Sequence, residues 1–592
     1  MAALFTTPKR NDKTSGAHFV EPDVRRRMLL AHGSWRRVTR RIVCGLACAL
    51  TVSSLLMPSV SLAAEWVNVG GTQYNTAAGD EAGTWAWDGA DDMKLNGYDG
   101  GAIKAAGKLN IAYEGKNTVK TEPDYTGAAI KAQDGTNQKA ELNITSSNSA
   151  DELNVTAEAD AIKSTGDLSI SGPGTVNTTS TTSDGIEAKG DLSITGSGTV
   201  NATGGTEGIQ SKGKTTIDSS GTVIAKGGEG YGVAAGSGII IKGGGKVEAS
   251  SIEEAAIWAD GNIDISGGSQ VEASSQGDLA VDAEGSLAVT NASLDASGVE
   301  YGVYAYKGVT LDHATVTVRT SASGGQAIAL ITDEDDIVIK NGSIVDAFAE
   351  GEFSTAISTR NYNPNEAGGH IYISDSVVKA IARYAETGDD GPDCYSTDQD
   401  GEITPERRGV NIGIYAQTTE GIMPATISIV RSKVTAEGDT AAIFALAMST
   451  DGKAIGTIEI EGASILTPEG GKVIDYRHKE ELSNGIMYEA GQVIGTGDAV
   501  IDSPYDDVIA KKAVIAPSEE TKPEEKPGET KPEGSKSEGA KTTKTVAVAA
   551  TGAKTTGKLA ATGDASSAAI VAATLAGTAA IAAGAVVSRK RS

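Results

Sequence analysis

From about residue 100 onward the chain alternates apolar and polar positions in short triplets, and the triplets repeat. One unit runs Gly185-Ile186-Glu187-Ala188, then Gly190-Asp191-Leu192-Ser193-Ile194, then Gly198-Thr199-Val200-Asn201-Ala202. Its first apolar position recurs at Ile162, Ile186, Ile209, Val233, Ile257, Val281, Val303 and Ile328, at spacings of 24, 23, 24, 24, 24, 22 and 25. The second part recurs as Leu168/Ile170, Ile239/Ile241, Ile263/Ile265, Leu287/Val289 and Val309/Leu311, and the third at Val176, Val247, Val271, Leu294 and Val316. A period of two is a strand signal, not a helical one. Gly, Asn, Ser and Asp stand between triplets, where tight corners need positive φ or side-chain turns. Each repeat is therefore three short strands and three turns. No repeat buries its apolar face alone, so neighbours must stack, with equivalent residues about 4.8 Å apart. The pattern predicts a parallel β-helix.

Less regular units follow at Ile357, Ile371/Ile373, Ile414, Ile427/Ile429, Ile443 and Ile458/Ile460, interrupted by an insertion near 381–409. Residues 64–100, with Trp66, Trp85 and Trp87, read as a cap over the first coil, which a solenoid requires. The body is expected over 101–510, as roughly fourteen coils stacked at about 4.8 Å. Leucine-rich repeats need a Leu/Asn consensus and propeller blades about forty residues, so neither fits.

Composition agrees with thin cores of small side chains: Gly is 74 of 592 residues and aromatics only 4%. Both ends read as processing signals. A basic stretch ending in Arg40 and Arg41, an apolar run from Ile42 to Leu56 and Ser61-Leu62-Ala63 make residues 1–63 a signal peptide, with Met28 a second candidate start. Cys44 and Cys48 leave with it, so the mature chain keeps Cys394 alone and forms no internal disulfide. Residues 511–558, rich in Pro, Glu, Lys, Gly and Thr, read as a disordered, extended stalk. Residues 565–587 are uncharged and long enough to cross a bilayer as a helix, with Arg589-Lys590-Arg591 behind them.

The order Leu559-Ala560-Ala561-Thr562-Gly563, apolar span, basic tail resembles the wall-sorting signal of Gram-positive surface proteins, in a variant with Ala where most have Pro. The resemblance implies that a sortase cuts between Thr562 and Gly563 and joins Thr562 to peptidoglycan. A plain membrane anchor is the alternative, and either way the body faces outward at the cell surface. Removing residues 1–63 takes away 10 basic and 3 acidic residues and leaves 41 against 75, a net charge of −34. Nucleic acid is thus a poor partner for the body.

The units around Asp184-Gly185-Ile186, Gly190-Asp191-Leu192-Ser193-Ile194 and Gly198-Thr199-Val200 also resemble a family of bacterial carbohydrate-binding right-handed parallel β-helix domains, which includes polygalacturonate-binding members with bound calcium. The likeness covers roughly residues 90–480. It implies an all-β, single-stranded right-handed parallel β-helix of about 24-residue coils and a polysaccharide ligand. The family's calcium residues have no one-to-one match here.

The middle residue of each triplet points outward. On the first strand the outward column runs Lys163, Glu187, Gln210, Ala234, Trp258, Asp282, Tyr304 and, later, Tyr415 and Phe444. Trp258, Tyr304 and Tyr415 are candidates for stacking on a sugar ring, or else they cover a neighbouring loop. On the third strand the column runs Asn177, Asn201, Ile224, Glu248, Glu272, Asp295, Thr317 and Asp346. Stacked carboxylates at Glu248, Glu272 and Asp295 repel one another, so they form either a screened acidic ladder or a Ca²⁺ site that bridges to acidic polysaccharide. Asp389, Asp390, Asp393, Asp398 and Asp400 cluster in the insertion as a second oxygen-rich cation candidate, although Ser396 and Arg407 spoil an EF-hand register. A polysaccharide lyase or glycoside hydrolase is the enzymatic alternative, and a purely structural wall protein the third reading. The coils offer acids, few cations and almost no His, with no Ser/His/Asp, zinc or phosphate-loop signature. Binding or adhesion leads.

Overall fold

The computed structural model describes residues 64–518 apart from short internal stretches, the longer ones being 362–367, 386–395, 398–402, 405–410, 419–424, 450–455, 468–477, 482–486 and 495–511. The described residues are all-β. Three parallel sheets run through them, one for each strand of the repeat. In the first sheet Ile162, Ile186, Ile209, Val233, Ile257, Val281 and Val303 stand in one paired column, all with 0% of their surface exposed. In the second, Leu168 and Ile170 stack through Leu192 and Ile194, then Thr215 and Ile217, to Ile239 and Ile241. In the third, Val176, Val200, Val223, Val247, Val271, Leu294 and Val316 do the same. Strand n pairs with strand n+3 because each triplet meets its equivalent one repeat later. That is the strand arrangement of a parallel β-solenoid. The ladders merge into one hydrophobic core reaching from Ala64 to Ile515. Each fully buried Ile, Leu or Val in it contributes roughly 1.5–3 kcal/mol.

The column passes from Val303 to Leu330, not to Ile328, which pairs with Tyr301. Ile328 and Leu330 are two apart on one strand, so a slip of two keeps the same face inward and periodicity alone does not separate them. The insertion also starts later than expected, because Ile381 and Ala382 still pair with Glu437 and Gly438 in the third sheet.

Corners are built by stacked left-handed residues. Between second and third strands they are Gly172, Gly196 and Gly243, with φ of 109°, 104° and 98°. On later coils Asn291, His313, Asn341, Asp375 and Arg431 occupy the corner at φ between 45° and 56°. Backbone bonds tie one corner to the next: Asn291 N–H donates to Asp312 O at 3.0 Å and Arg431 N–H to Glu461 O at 2.8 Å.

Antiparallel strands close both ends of the parallel run. Trp66–Val69 pairs antiparallel with Thr72–Tyr74 and with Ile103–Ala106. Trp85 and Trp87 are buried against the first coil, and Trp87 Nε1–H donates to Ala90 O at 3.1 Å. At the other end Lys512–Pro517 lies antiparallel between Lys433–Gly438 and Ala463–Thr467. These six residues fall inside the expected stalk. The alternation of Ala513, Val514 and Ile515 gives them a strand face, and Ile515 is 1% exposed.

Candidate functional site

The pairing register extends the outward column of the first sheet in both directions. It runs Lys104, Lys131, Lys163, Glu187, Gln210, Ala234, Trp258, Asp282 and Tyr304. It continues through Ile331, Ser358, Tyr415 and Phe444. This face is more covered than the other two: Glu187, Ala234, Asp282, Ile331 and Ser358 are buried, whereas Glu272 and Asp295 on the third sheet are exposed.

All three candidate stacking aromatics share this face, in different settings. Trp258 is half-buried, and Tyr231, at the corner that precedes Val233–Ala235, stacks on it at 5.2 Å with 19° between the planes. Tyr231 props the indole, leaving a two-ring apolar surface. Tyr304 donates its hydroxyl to Asp333 Oδ2 at 2.8 Å, and Tyr301 meets it edge-on at 6.0 Å. Burial first, then the Asp333 carboxylate, pushes the Tyr304 phenol up. Tyr415 stacks on the buried Phe444 at 5.7 Å. Trp258 and Tyr231 thus form a stacked pair, whereas Tyr304 is held by its neighbours one coil beyond Asp282.

At the other end of the face the chain builds a charged cluster. Asp160, Asp184 and Glu187 lie close enough to share a cation and are 6%, 5% and 3% exposed. Lys163 Nζ bridges two of them, bonded to Asp160 Oδ2 at 2.7 Å and to Glu187, which also takes Lys189. Ser183 and Thr206 donate to Asp160 Oδ1 and Asp184 Oδ1, each at 2.5 Å. Burial raises the Asp160 carboxyl, yet the Lys163 and Ser183 bonds outweigh it, and the group sits below the usual carboxylate range. A second carboxylate group, Asp88, Asp91 and Asp92, lies at the N-terminal end, where Asp92 accepts from Asn110 Nδ2 at 2.8 Å. Neither group was singled out in the sequence, although Asp184 and Glu187 stand in the repeat unit itself.

The third-sheet column is in the expected register: Asn177, Asn201, Ile224, Glu248, Glu272, Asp295, Thr317, Asp346. It begins as an amide ladder, with Asn177 Nδ2–H donating to Asn154 Oδ1 at 2.9 Å and Asn201 to Asn177 at 2.7 Å. Glu248 and Glu272 share a partner, Lys246, whose Nζ lies 2.8 and 2.9 Å from their carboxylates. Asp346 is likewise met by Arg319 and Lys379 at 3.2 and 3.3 Å. The repulsion that motivates a calcium ion is therefore relieved at Glu248 and Glu272 by a lysine two residues back on the same face.

Asp389, Asp390, Asp393, Asp398 and Asp400 lie outside the described residues, as do the expected signal peptide, the sorting pentapeptide Leu559–Gly563 and the apolar span 565–587. Among the described residues no helix is long and apolar enough to cross a membrane. Comparison of the chain with family models, with curated proteins and with solved structures gave no match.

Proposed function

We propose that this is a carbohydrate-binding or adhesion protein displayed at the cell surface, and that it holds a glycan along the outer face of the first sheet. The scaffold in this reading is a single-stranded right-handed solenoid, the hand that parallel crossovers adopt almost without exception. The carrying observation is Trp258 propped by Tyr231: a rigid, half-exposed π surface suits the C–H face of a sugar ring. Coils about 4.8 Å apart match an extended polymer lying along the column rather than across it. The acidic column on the third sheet is the separate calcium reading.

The test is binding of soluble polysaccharides, neutral and acidic, by the mature chain, with and without EDTA. Trp258→Ala is expected to lose roughly 5- to 150-fold in affinity, the equivalent of about 1–3 kcal/mol if a sugar ring stacks as a nucleobase does. Binding that survives Trp258→Ala undiminished would sink the platform. Loss in EDTA would move the ligand to a calcium site. Release of reducing ends in the same incubation would favour the lyase or glycosidase alternative.

A further inference from the structure

The same face starts with three stacked lysines, Lys104, Lys131 and Lys163, on consecutive coils. The mature chain has 75 acidic residues against 41 basic ones, so carboxylates are abundant for neutralising them. They are used unevenly. Lys163 takes both Asp160 and Glu187. Lys104 sits over the Tyr125 ring, its Nζ 4.6 Å from the centroid. Among the described residues Lys104 and Lys131 make no ion pair within 4.0 Å, and Lys131 is half-buried between Lys104 and Lys163. Burial first, then Lys163 and Lys104, holds Lys131 below the ordinary lysine range. Asp160 offsets the repulsion on Lys131 only in part, so Lys104 and Lys131 are left to be paired by anions from outside.

We infer that Lys104 and Lys131 form a subsite for a linear anionic glycan, whose carboxylate or sulfate groups lie along the column. This rests on the reading of the first-sheet face as a glycan surface, and it adds the charge class of the ligand. The lysines stand one per coil, about 4.8 Å apart, so the subsite reads anions spaced along an extended chain. Tyr125 supplies an aromatic ring beside the first of them. No calcium is involved, and Trp258 lies four coils beyond Lys163 on the same column.

The experiment compares the mature full chain with Lys131→Met and Lys104→Met/Lys131→Met. The probes are polygalacturonate, its methyl-esterified form, dextran sulfate, neutral dextran and duplex DNA, with EDTA present throughout. The wild type is expected to bind one of the two anionic glycans at least tenfold more tightly than its uncharged counterpart, with affinity falling as salt rises. Polygalacturonate against dextran sulfate decides between carboxylate and sulfate. Lys131→Met should lose about tenfold and the double variant more, while thermal stability holds or rises because the stack no longer repels itself. A stable Lys131→Met chain that binds as the wild type does overturns the subsite. So does equal binding of the charged and uncharged polymers, or DNA binding as tight as the glycan's. Trp258→Ala keeps the two readings apart. Trp258-dependent binding of neutral polymer with no preference for charge removes the lysine subsite alone. Lysine-dependent binding that ignores Trp258 removes the aromatic platform alone.

Discussion

Gly196 turns the corner from second to third strand at φ +104°, and a Cβ there would lie 2.6 Å from the carbonyl oxygen of Gly172 one coil below. Substitution therefore strains its own backbone and pushes on the neighbouring coil. Gly342 also has positive φ, +80°, but a Cβ there would meet nothing within 4 Å. Gly342→Ala is expected to cost about 1–2 kcal/mol from conformation alone, and Gly196→Ala clearly more, about 3 kcal/mol or above. Thermal melts of the two variants check the order; equal losses would mean that the corners do not stack as described. Asp160 gives the second prediction at this scale. Its carboxyl is depressed in the folded chain, so the stability it contributes is full above its unfolded value of about 3.9 and lost as pH falls through the lower folded value. Wild type should therefore lose stability on going below about pH 4, and Asp160→Asn should flatten that part of the profile. An identical acid profile in the variant would show that the Lys163 and Ser183 bonds contribute nothing to it.

The third sheet shows how an element manages like charges on one face. The ladder places Glu248 opposite Glu272 and Glu272 opposite Asp295, and Lys246, its ammonium held above the ordinary range by bonds to Glu248 and Glu272, ties the first two. Two expectations follow for Glu248→Gln/Glu272→Gln/Asp295→Asn. If the lysine suffices, calcium leaves the wild-type melting temperature unchanged and the triple variant melts within a few degrees of it. If calcium is bound, it raises the wild-type melting temperature by mass action and the variant loses the response. The first outcome is expected at Glu248 and Glu272. The columns were legible because period two fixes which residues share a face, and a regular spacing of 24 fixes which residues stack. Lys246 was missed although it carries the same signal, standing at i−2 to Glu248. Lys104 and Lys131 precede the stretch where the spacing is regular, yet the triplets Ile103-Lys104-Ala105 and Ile130-Lys131-Ala132 repeat the pattern of Ile162-Lys163-Ser164. Ile328 and Leu330 were inseparable for the opposite reason, since a shift of two changes the stack and leaves the face unchanged. The Tyr231 prop stands two residues before Val233, a corner position that neighbouring coils fill with Asp160, Asp184, Glu207 and Ala255, so no repeated aromatic marks it.

At the scale of the molecule, nearest-neighbour stacking builds the described body. The described body is built from coil-on-coil contacts and two antiparallel closures, with its core residues lying between Ala64 and Ile515. The anchoring hypothesis is tested in cells. It is motivated by Leu559-Ala560-Ala561-Thr562-Gly563 ahead of an apolar span and a basic tail. In cells with a functional sortase the wild type should resist detergent and come free with wall hydrolases. Thr562→Ala should shift it to the detergent-soluble membrane fraction or the medium. A Thr562→Ala chain still released only by wall hydrolases would refute the sorting reading. A wild type that detergent extracts in full would instead assign residues 565–587 the role of a lasting membrane anchor, with the same body facing outward.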